Sequence, residues 1–528
     1  MSKRAWIIVG AALSTLVLLS LVVLFSFRGT IQKLVRHRTE AYLKARFQSD
    51  VEFKDFQVWV RPGVHVMVSG LTLRHKGRTD VPPLIEIRKV SFDTSLPGIL
   101  GEKIRIHGVR LEGLQIHTPP RKPGEKPLIG ATDEDLAKKY PAIIEEIVAD
   151  DALLEPLPKD PGKTSHPFFI HHLDLHNFRF DQPASFHALL TIPTPQGAVD
   201  CAGQFGPWRA DEPSVTPVDA KFTFEHADLA TLKGLSGILS SKGQFKGPLD
   251  YLEVEGETDT PDFAWRTARE PVALHTDYTA IVDGTNGDVI LKEVIAQFLN
   301  TTLTVHGEVV DLTTQKGRTI ELDVATQKAR VEDLLRLAVN TEKPAMIGYA
   351  KLKTRIEIPE KDEDLIERML LDGQFEIGDI LFTNNEIQDK INALSHKGQG
   401  QPQRGAEGTE LSELHGKFMM EKGVVKFSKL TFGVEGASLA MAGTYKMDSG
   451  QLDFRGKLRL DAKLSQTTTG MKSFLLKAVD PFFRGKDGGT VLPIKITGTK
   501  DEPKYGLDLH DKANKEPAPA PAPQNNLG

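Results

Sequence analysis

The chain has 528 residues, with 66 basic and 71 acidic side chains and a net charge of −5. That length exceeds one compact domain, and the nearly balanced charge excludes a globally basic nucleic-acid binder held by counterion release. A hydrophobic content of 40% and a mean hydropathy of −0.26 exclude a polytopic membrane protein and a mostly disordered chain, while a single cysteine, Cys201, excludes a disulfide framework and any multi-cysteine metal site.

Ala5 to Phe27 carry no charge. As a helix rising ~1.5 Å per residue this run spans about 35 Å, enough to cross a hydrocarbon core of about 30 Å. Trp6, Leu16, Leu21 and Phe27 mark it as a membrane anchor. A cleavable signal peptide is the competing reading, but the run exceeds an ordinary h-region and no small-x-small cleavage site follows. Orientation is open at this point. Lys3 and Arg4 precede the span, and Arg28, Lys33, Arg36 and Arg38 follow it. Counted alone, these charges would hold the body in the cytoplasm, whereas a short basic head before an apolar run fits export. Thr30 to Gln48 reads as a helix without Gly or Pro, with Ile31, Leu34, Val35, Tyr42 and Ala45 near helical spacing. It either opens the soluble fold or rests on anionic headgroups.

Beyond Gln48 the pattern becomes alternation. Val51/Phe53 is followed by Phe56/Val58, Val66/Val68 by Leu71/Leu73, Ile85/Ile87 by Val90/Phe92, and Ile104/Ile106 by Val109/Leu111. Phe168/Ile170 with Leu173/Leu175, and Val425/Phe427 with Leu430/Phe432, repeat the same unit. Alternation means strands with one apolar face. The two-residue spacer inverts the phase, so a bulge or corner at Lys54-Asp55, Ser69-Gly70, Arg88-Lys89 or His107-Gly108 is needed to return the second pair to the same face. The expected fold is mainly β: an N-terminal transmembrane helix, then an elongated antiparallel repeat sheet rolled into a solenoid-like groove, with few short helices. Ordinary β-sandwich domains are the alternative.

A second marker recurs at Gly203-Gln-Phe205, Gly243-Gln-Phe245, Gly373-Gln-Phe375, Gly416-Lys-Phe418, Gly443-Thr-Tyr445 and Gly456-Lys-Leu458, and glycine within a strand predicts a bulge or bend. Helices are predicted over Asp133 to Leu154, with Leu136, Tyr140, Ile143, Ile144 and Ile147 on one face, over Val331 to Val339, and briefly over Asp228 to Leu239. Linkers are read at Pro119 to Gly124 and Glu155 to Pro167, a polar loop at Lys397 to Thr409, and an extended Pro/Ala tail at Glu516 to Pro523.

Catalytic motifs do not emerge. Gly162-Lys163-Thr164 lacks the earlier glycine of a phosphate-binding loop, since Leu157 stands there. Gly234-Leu235-Ser236-Gly237-Ile238 has the wrong spacing for a nucleophile elbow, and Asp283 to Asp288 lacks the alternating oxygen ligands of a calcium loop. His172-x-Asp174-x-His176, with His166, His171 and His187 nearby, would present three candidate metal ligands, two imidazoles and a carboxylate, on one strand face; a solvated face is the alternative. No enzyme activity, cofactor or metal is assigned.

Between Met369 and Leu509 the chain reads Leu371-Asp-Gly-Gln-Phe-Glu-Ile377, Phe382-Thr, Ile391-Asn-Ala-Leu-Ser395, Leu414-His-Gly-Lys-Phe418, Gly423-Val-Val-Lys-Phe427 and Gly443. This arrangement resembles the carboxy-terminal region of AsmA-like bacterial envelope proteins. Its most specific part is Leu492-Pro-Ile-Lys-Ile-Thr-Gly-Thr499 with Pro503. The anchor, short helix and first strands also resemble the start of such proteins. The family likeness implies a single-pass inner-membrane protein with a periplasmic body whose β-groove carries phospholipid between envelope membranes in outer-membrane biogenesis. Its implied partners are the inner membrane, phospholipids and envelope assembly proteins, and no nucleic acid. A non-enzymatic scaffold for outer-membrane protein assembly is the alternative. On the groove reading, the lipid-facing residues are Val66, Val68, Leu71, Leu73, Ile104, Ile106, Val109, Leu111, Val425, Phe427, Leu430 and Phe432. The expected segments are 1–28 (anchor), 29–48 (helix), 49–118 (β-repeat), 119–167 (linker with helix), 168–365 (middle groove), 366–510 (AsmA-like region) and 511–528 (tail).

Overall fold

The computed structural model describes residues 32–508 except for short interruptions and the longer gaps 96–103, 119–141, 157–167, 208–214, 312–317 and 468–488. Trp6, Leu16, Leu21 and Phe27, the Pro119 to Gly124 linker, Leu136, Tyr140 and the Pro/Ala tail lie outside the described residues. No helix among the described residues is long and apolar enough to cross a membrane.

The fold is mainly β, with 24 strands among the described residues. In chain order they begin β1 Ser49–Val60, β2 Val64–His75, β3 Ile85–Thr94, β4 Ile104–Thr118, β5 Ala142–Pro156, β6 Phe168–Phe178, β7 Ala184–Pro193, β8 Gln196–Phe205, β9 Pro217–Asp228, β10 Leu235–Ser236, β11 Ile238–Pro248 and β12 Leu252–Trp265. There follow β13 Val272–Val282, β14 Val289–Phe298, β15 Thr301–Asp311, β16 Arg318–Arg330, α1 Val331–Ala338, β17 Met346–Ile358, α2 Leu365–Arg368, β18 Leu370–Phe382 and α3 Asn385–Gly398. The last are β19 Ser412–Glu421, β20 Val424–Val434, β21 Ala437–Lys446, β22 Gln451–Leu460, β23 Thr490–Thr499 and β24 Pro503–Leu507. The chain forms two compact units. The first is Met1–Phe263 with Ala273–Ile295 and His306–Thr319; the second is Ala264–Val272, Ala296–Val305 and Ile320–Gly528.

In the first unit each strand from β1 to β9 pairs with the next, and β9 pairs with β11 and β11 with β12. All these pairs are antiparallel except β4–β5, which is parallel with Val109 beside Ile147. In the second unit β16 to β24 pair in strict sequence, all antiparallel.

The apolar pairs keep one face because the strands break phase where the spacers fall. The ladder skips Lys54, Gly70, Arg88 and Gly113: Phe53↔Leu71 is followed by Asp55↔Ser69, Leu71↔Ile87 by Ser69↔Lys89, and Ile87↔Leu114 by Lys89↔Glu112. Gly70 and Gly113 adopt φ of +61° and +64°, a left-handed conformation that costs glycine little. Elsewhere register shifts do the same work, at His107 in β4, His171 in β6 and between Phe427 and Leu430 in β20.

The Gly-x-Phe marker has a different basis from the expected bend. Gly373 stands opposite Phe418 while Phe375 stands opposite Gly416, so each glycine accommodates the partner strand's ring. A Cβ on Gly416 would lie 2.5 Å from Phe375 Cε1, and one on Gly373 2.8 Å from Phe418 Cζ. Gly243 takes Phe222 and Gly443 takes Phe454 in the same way. The rings continue as a row, with Phe375–Phe418, Phe418–Phe427 and Phe427–Phe454 centroids 6.2, 6.3 and 5.7 Å apart, the spacing of favourable tilted aromatic pairs.

Several sequence expectations require correction. Ile143, Ile144 and Ile147 lie on β5, not on a helix: the β-branched run fills the ladder between β4 and β6. Segment 119–167 therefore supplies a strand, and the strands before and after it share one unit. The boundary at 365/366 falls inside a continuous ladder, where β17 pairs with β18 from Met346↔Phe382 to Glu357↔Leu370. Asp228 to Leu239 holds only a 3-10 turn, Leu229–Thr231, because Gly234 and Gly237 take φ of +104° and +128° and return the chain to strand. The helix at Val331–Ala338 is present, and helical backbone occurs at 32–37, 39–41 and 43–44. Helix α3 was not expected. Asn384 caps it by accepting from the Glu386 and Ile387 amides, and buried Asn392 donates to the Ala406 and Gly408 carbonyls, tying down the following loop.

Gly416→Ala should lower stability by about 1–3 kcal/mol, because its methyl overpacks the Phe375 ring. Thermal unfolding of Gly416→Ala, Phe375→Ala and the double variant checks this. If the ring contact is the cause, the double variant loses less than the sum of the two single losses.

Candidate functional site

The apolar face of the first unit builds two different things. Near its start it is a closed core. Val64, Val66, Val68, Leu71 and Leu73 of β2 are buried with Val51, Phe56 and Val58 of β1, Ile87 and Val90 of β3, and Val35 of the N-terminal helical segment; Leu73 is 1% exposed. Val109 and Leu111 are half-buried at the margin of this cluster, and Ile106 is also half-buried. Ile104 is placed only as the first residue of β4. Val66, Val68, Leu71 and Leu73 are thus core residues here rather than the open lining expected of them. Val425, Phe427, Leu430 and Phe432 lie half-buried on β20 of the second unit, with Phe427 in the aromatic row.

Further along, the same face opens. Side chains of β6, β7, β8, β9, β11, β12 and β13 line a cavity of about 560 Å³, and every lining residue is apolar. Leu173 and Leu175 come from β6, Phe186 and Leu190 from β7, Val199 and Cys201 from β8, Phe222 and Phe224 from β9, Phe245 from β11, Val254 from β12 and Val282 from β13. Walls that all come from one sheet face require that face to be concave. Val218, Ala220, Leu252, Val254 and Ala280 form the packed cluster beneath, and the Phe222 and Phe245 rings stand 6.1 Å apart.

The lining follows from strict alternation. In β8 Val199 and Cys201 face the cavity and Asp200 faces away; in β6 Leu173 and Leu175 face it and Asp174 does not. Burial, with the Asp200 charge second, pushes the Cys201 thiol up to about 11. At neutral pH it is therefore a small apolar side chain rather than a nucleophile.

The opposite face is a lattice of cross-strand polar pairs. His172 bonds Asp150 through Nδ1 at 2.7 Å and Asp174 through Nε2 at 2.9 Å. His187 meets Asp200 at 2.8 Å, His275 meets Asp259 at 2.7 Å, and Lys242 meets Glu257 at 2.8 Å. Exposed pairs of this kind contribute little to stability, because water screens them. Of the histidine constellation, His172 and Asp174 do meet, but as a hydrogen-bonded pair with both ring nitrogens of His172 engaged. No group of three or more His, Cys, Asp or Glu side chains suited to a metal ion occurs among the described residues.

The cleft residues Leu190, Val199, Phe222 and Val254 were not singled out in the sequence. Their signal was the Gly-x-Phe marker at Gly203 and Gly243, whose aromatic members Phe205 and Phe245 line the cavity.

Hydrogen bonds to Asp150 and then Asp174 hold His172 above its ordinary value of 6.5. Protonated His172 thus favours the folded state. That contribution is complete below about pH 6.5, the unfolded value, and is lost as pH rises through the raised folded value. The melting temperature should fall as pH rises above about 6.5, and His172→Gln should flatten that fall; equal slopes in both proteins would show that the pair contributes nothing. Leu73→Ala should cost about 2–5 kcal/mol in unfolding experiments, as a core truncation does.

Comparison with protein-family models, with curated proteins and with solved structures finds no match to this chain.

Proposed function

We propose that this chain is an AsmA-like, membrane-anchored envelope protein whose apolar cleft takes the acyl chains of phospholipid and passes them between envelope membranes, in support of outer-membrane biogenesis. The observation that carries the reading is the wholly apolar lining of the cavity between β6 and β13. Each methylene moved from water into such a lining gains about 0.8 kcal/mol. A continuous sheet face offers this without a directional contact, so chains of different length are accepted and can slide. The headgroup stays in water at the mouth of the cleft. The chain performs no covalent chemistry in this reading. The segment Ala5 to Phe27 supplies the inner-membrane anchor and the body faces the periplasm, an orientation that a reporter fused after Leu509 would test.

Photocrosslinking in cells avoids detergent, which would itself fill the cleft. With a photoreactive residue at Leu190 or Val199, mass spectrometry should find phospholipid adducts, and a probe at outward-facing Asp200 should give none. Absence of lipid at both inward positions, with protein adducts alone, would reject lipid carriage in favour of a scaffold. Leu190→Glu should reduce the lipid recovered with the protein several-fold, since a carboxylate in an apolar wall is costly.

A further inference from the structure

The second unit bears a feature on its polar face that the acyl-chain reading does not use. Lys353 of β17 stands opposite Gln374 of β18, Gln374 opposite Lys417 of β19, and Lys417 opposite Lys429 of β20. These four side chains form one row across the strands. The next row contains Lys351, Glu376, His415 and Thr431 in the same strand order. Both rows line a cavity of about 500 Å³.

Charge is distributed unequally within it. Glu376, the one carboxylate in the lining, lies 3.8 Å from Lys351. Among the described residues Lys353, Lys417 and Lys429 make no ion pair. Some lysines on other strands do, as Lys89 with Glu112, Lys242 with Glu257, Lys246 with Asp219 and Lys292 with Glu253, and others such as Lys221 and Lys457 do not; what sets these three apart is that they share one row. Directly opposed residues of antiparallel strands bring their Cβ atoms within about 4.5–5.5 Å, and like charges there are destabilising. Lys417 and Lys429 are such a pair.

We propose that this cleft binds a phosphate group, with the Lys353, Lys417 and Lys429 ammonium groups as its charge-matched donors. Three unpaired cations suit a phosphate, which carries more than one negative charge and several acceptor oxygens, better than a single carboxylate. The Gln374 amide is a neutral donor in the same row. The phosphate is either free or the headgroup of an anionic lipid.

The test uses the full chain in a nonionic detergent and the variant Lys417→Gln/Lys429→Gln. One arm titrates inorganic phosphate by calorimetry; the other adds short-chain phosphatidylglycerol to the micelles, with phosphatidylcholine as the uncharged control. Loss of two charge-assisted donors should weaken binding by at least about tenfold. Phosphate binding that falls in the variant supports the site with a free anion. Binding of phosphatidylglycerol alone, falling in the variant, supports it with a lipid headgroup. No binding of either probe, or equal binding by both proteins, overturns it. Both substitutions are exposed, and without ligand the variant should melt at the same or a higher temperature because like charges have been removed; a lower melting temperature would mean the lysines serve the fold and would also overturn the proposal. Apolar binding at Leu190 is untouched by this variant, so failure here leaves the acyl-chain reading standing.

Discussion

A strand that alternates apolar and polar residues assigns every side chain to a face, and a slip of one residue reverses the whole assignment. Both faces of this protein depend on that phase being kept. The chain breaks it deliberately, because each repeat unit places two apolar pairs out of step. The correction is made in the backbone: left-handed glycines at 70 and 113, and register shifts at His107, at His171 and after Phe427. The skips at Lys54, Gly70, Arg88 and Gly113 face one another across β1 to β4, so the apolar faces of these four strands stay in register. Without them half of each apolar set would face water.

Once the phase is kept, the use made of the apolar face depends on what covers it. Beneath Val35 and the N-terminal helical segment the face is a conventional core, with Val66 and Leu73 excluded from solvent. Between β6 and β13 the face is lined by rings and aliphatic chains but left hollow. Glycines opposite aromatics let the rings lie over the neighbouring strand, as with Gly243 beneath Phe222. The lining is therefore broad and smooth rather than studded, a surface suited to a flexible hydrocarbon more than to a shaped ligand.

Much of the strand content, its one-sidedness and the sites of phase correction were legible in the sequence, because alternation and its interruption are local signals. Ile143, Ile144 and Ile147 were misread because a short apolar run fits a helix as well as a strand, and its partner Val109 is remote in sequence. Helix α3 was overlooked although Asn384 is a good cap and Ile387, Ile391 and Leu394 follow at helical spacing. The cleft was harder still. It gathers one to a few residues from each of seven strands, and alternation alone does not tell a covered stretch of face from a hollow one. Val68 and Leu190 carry the same local pattern; only Val35 and its neighbours make the difference.

The parallel seam between β4 and β5 bears on how the sheet assembles. Every other pairing within β1 to β9 is antiparallel and joins strand ends that are close in sequence, at low loop-closure cost. The seam does not, since a parallel neighbour must be reached through a crossover connection. Pairing Ile104–Thr118 with Ala142–Pro156 therefore carries a larger loop-closure cost than its neighbours, and until it closes the facing edges of β4 and β5 lack their ladder partners.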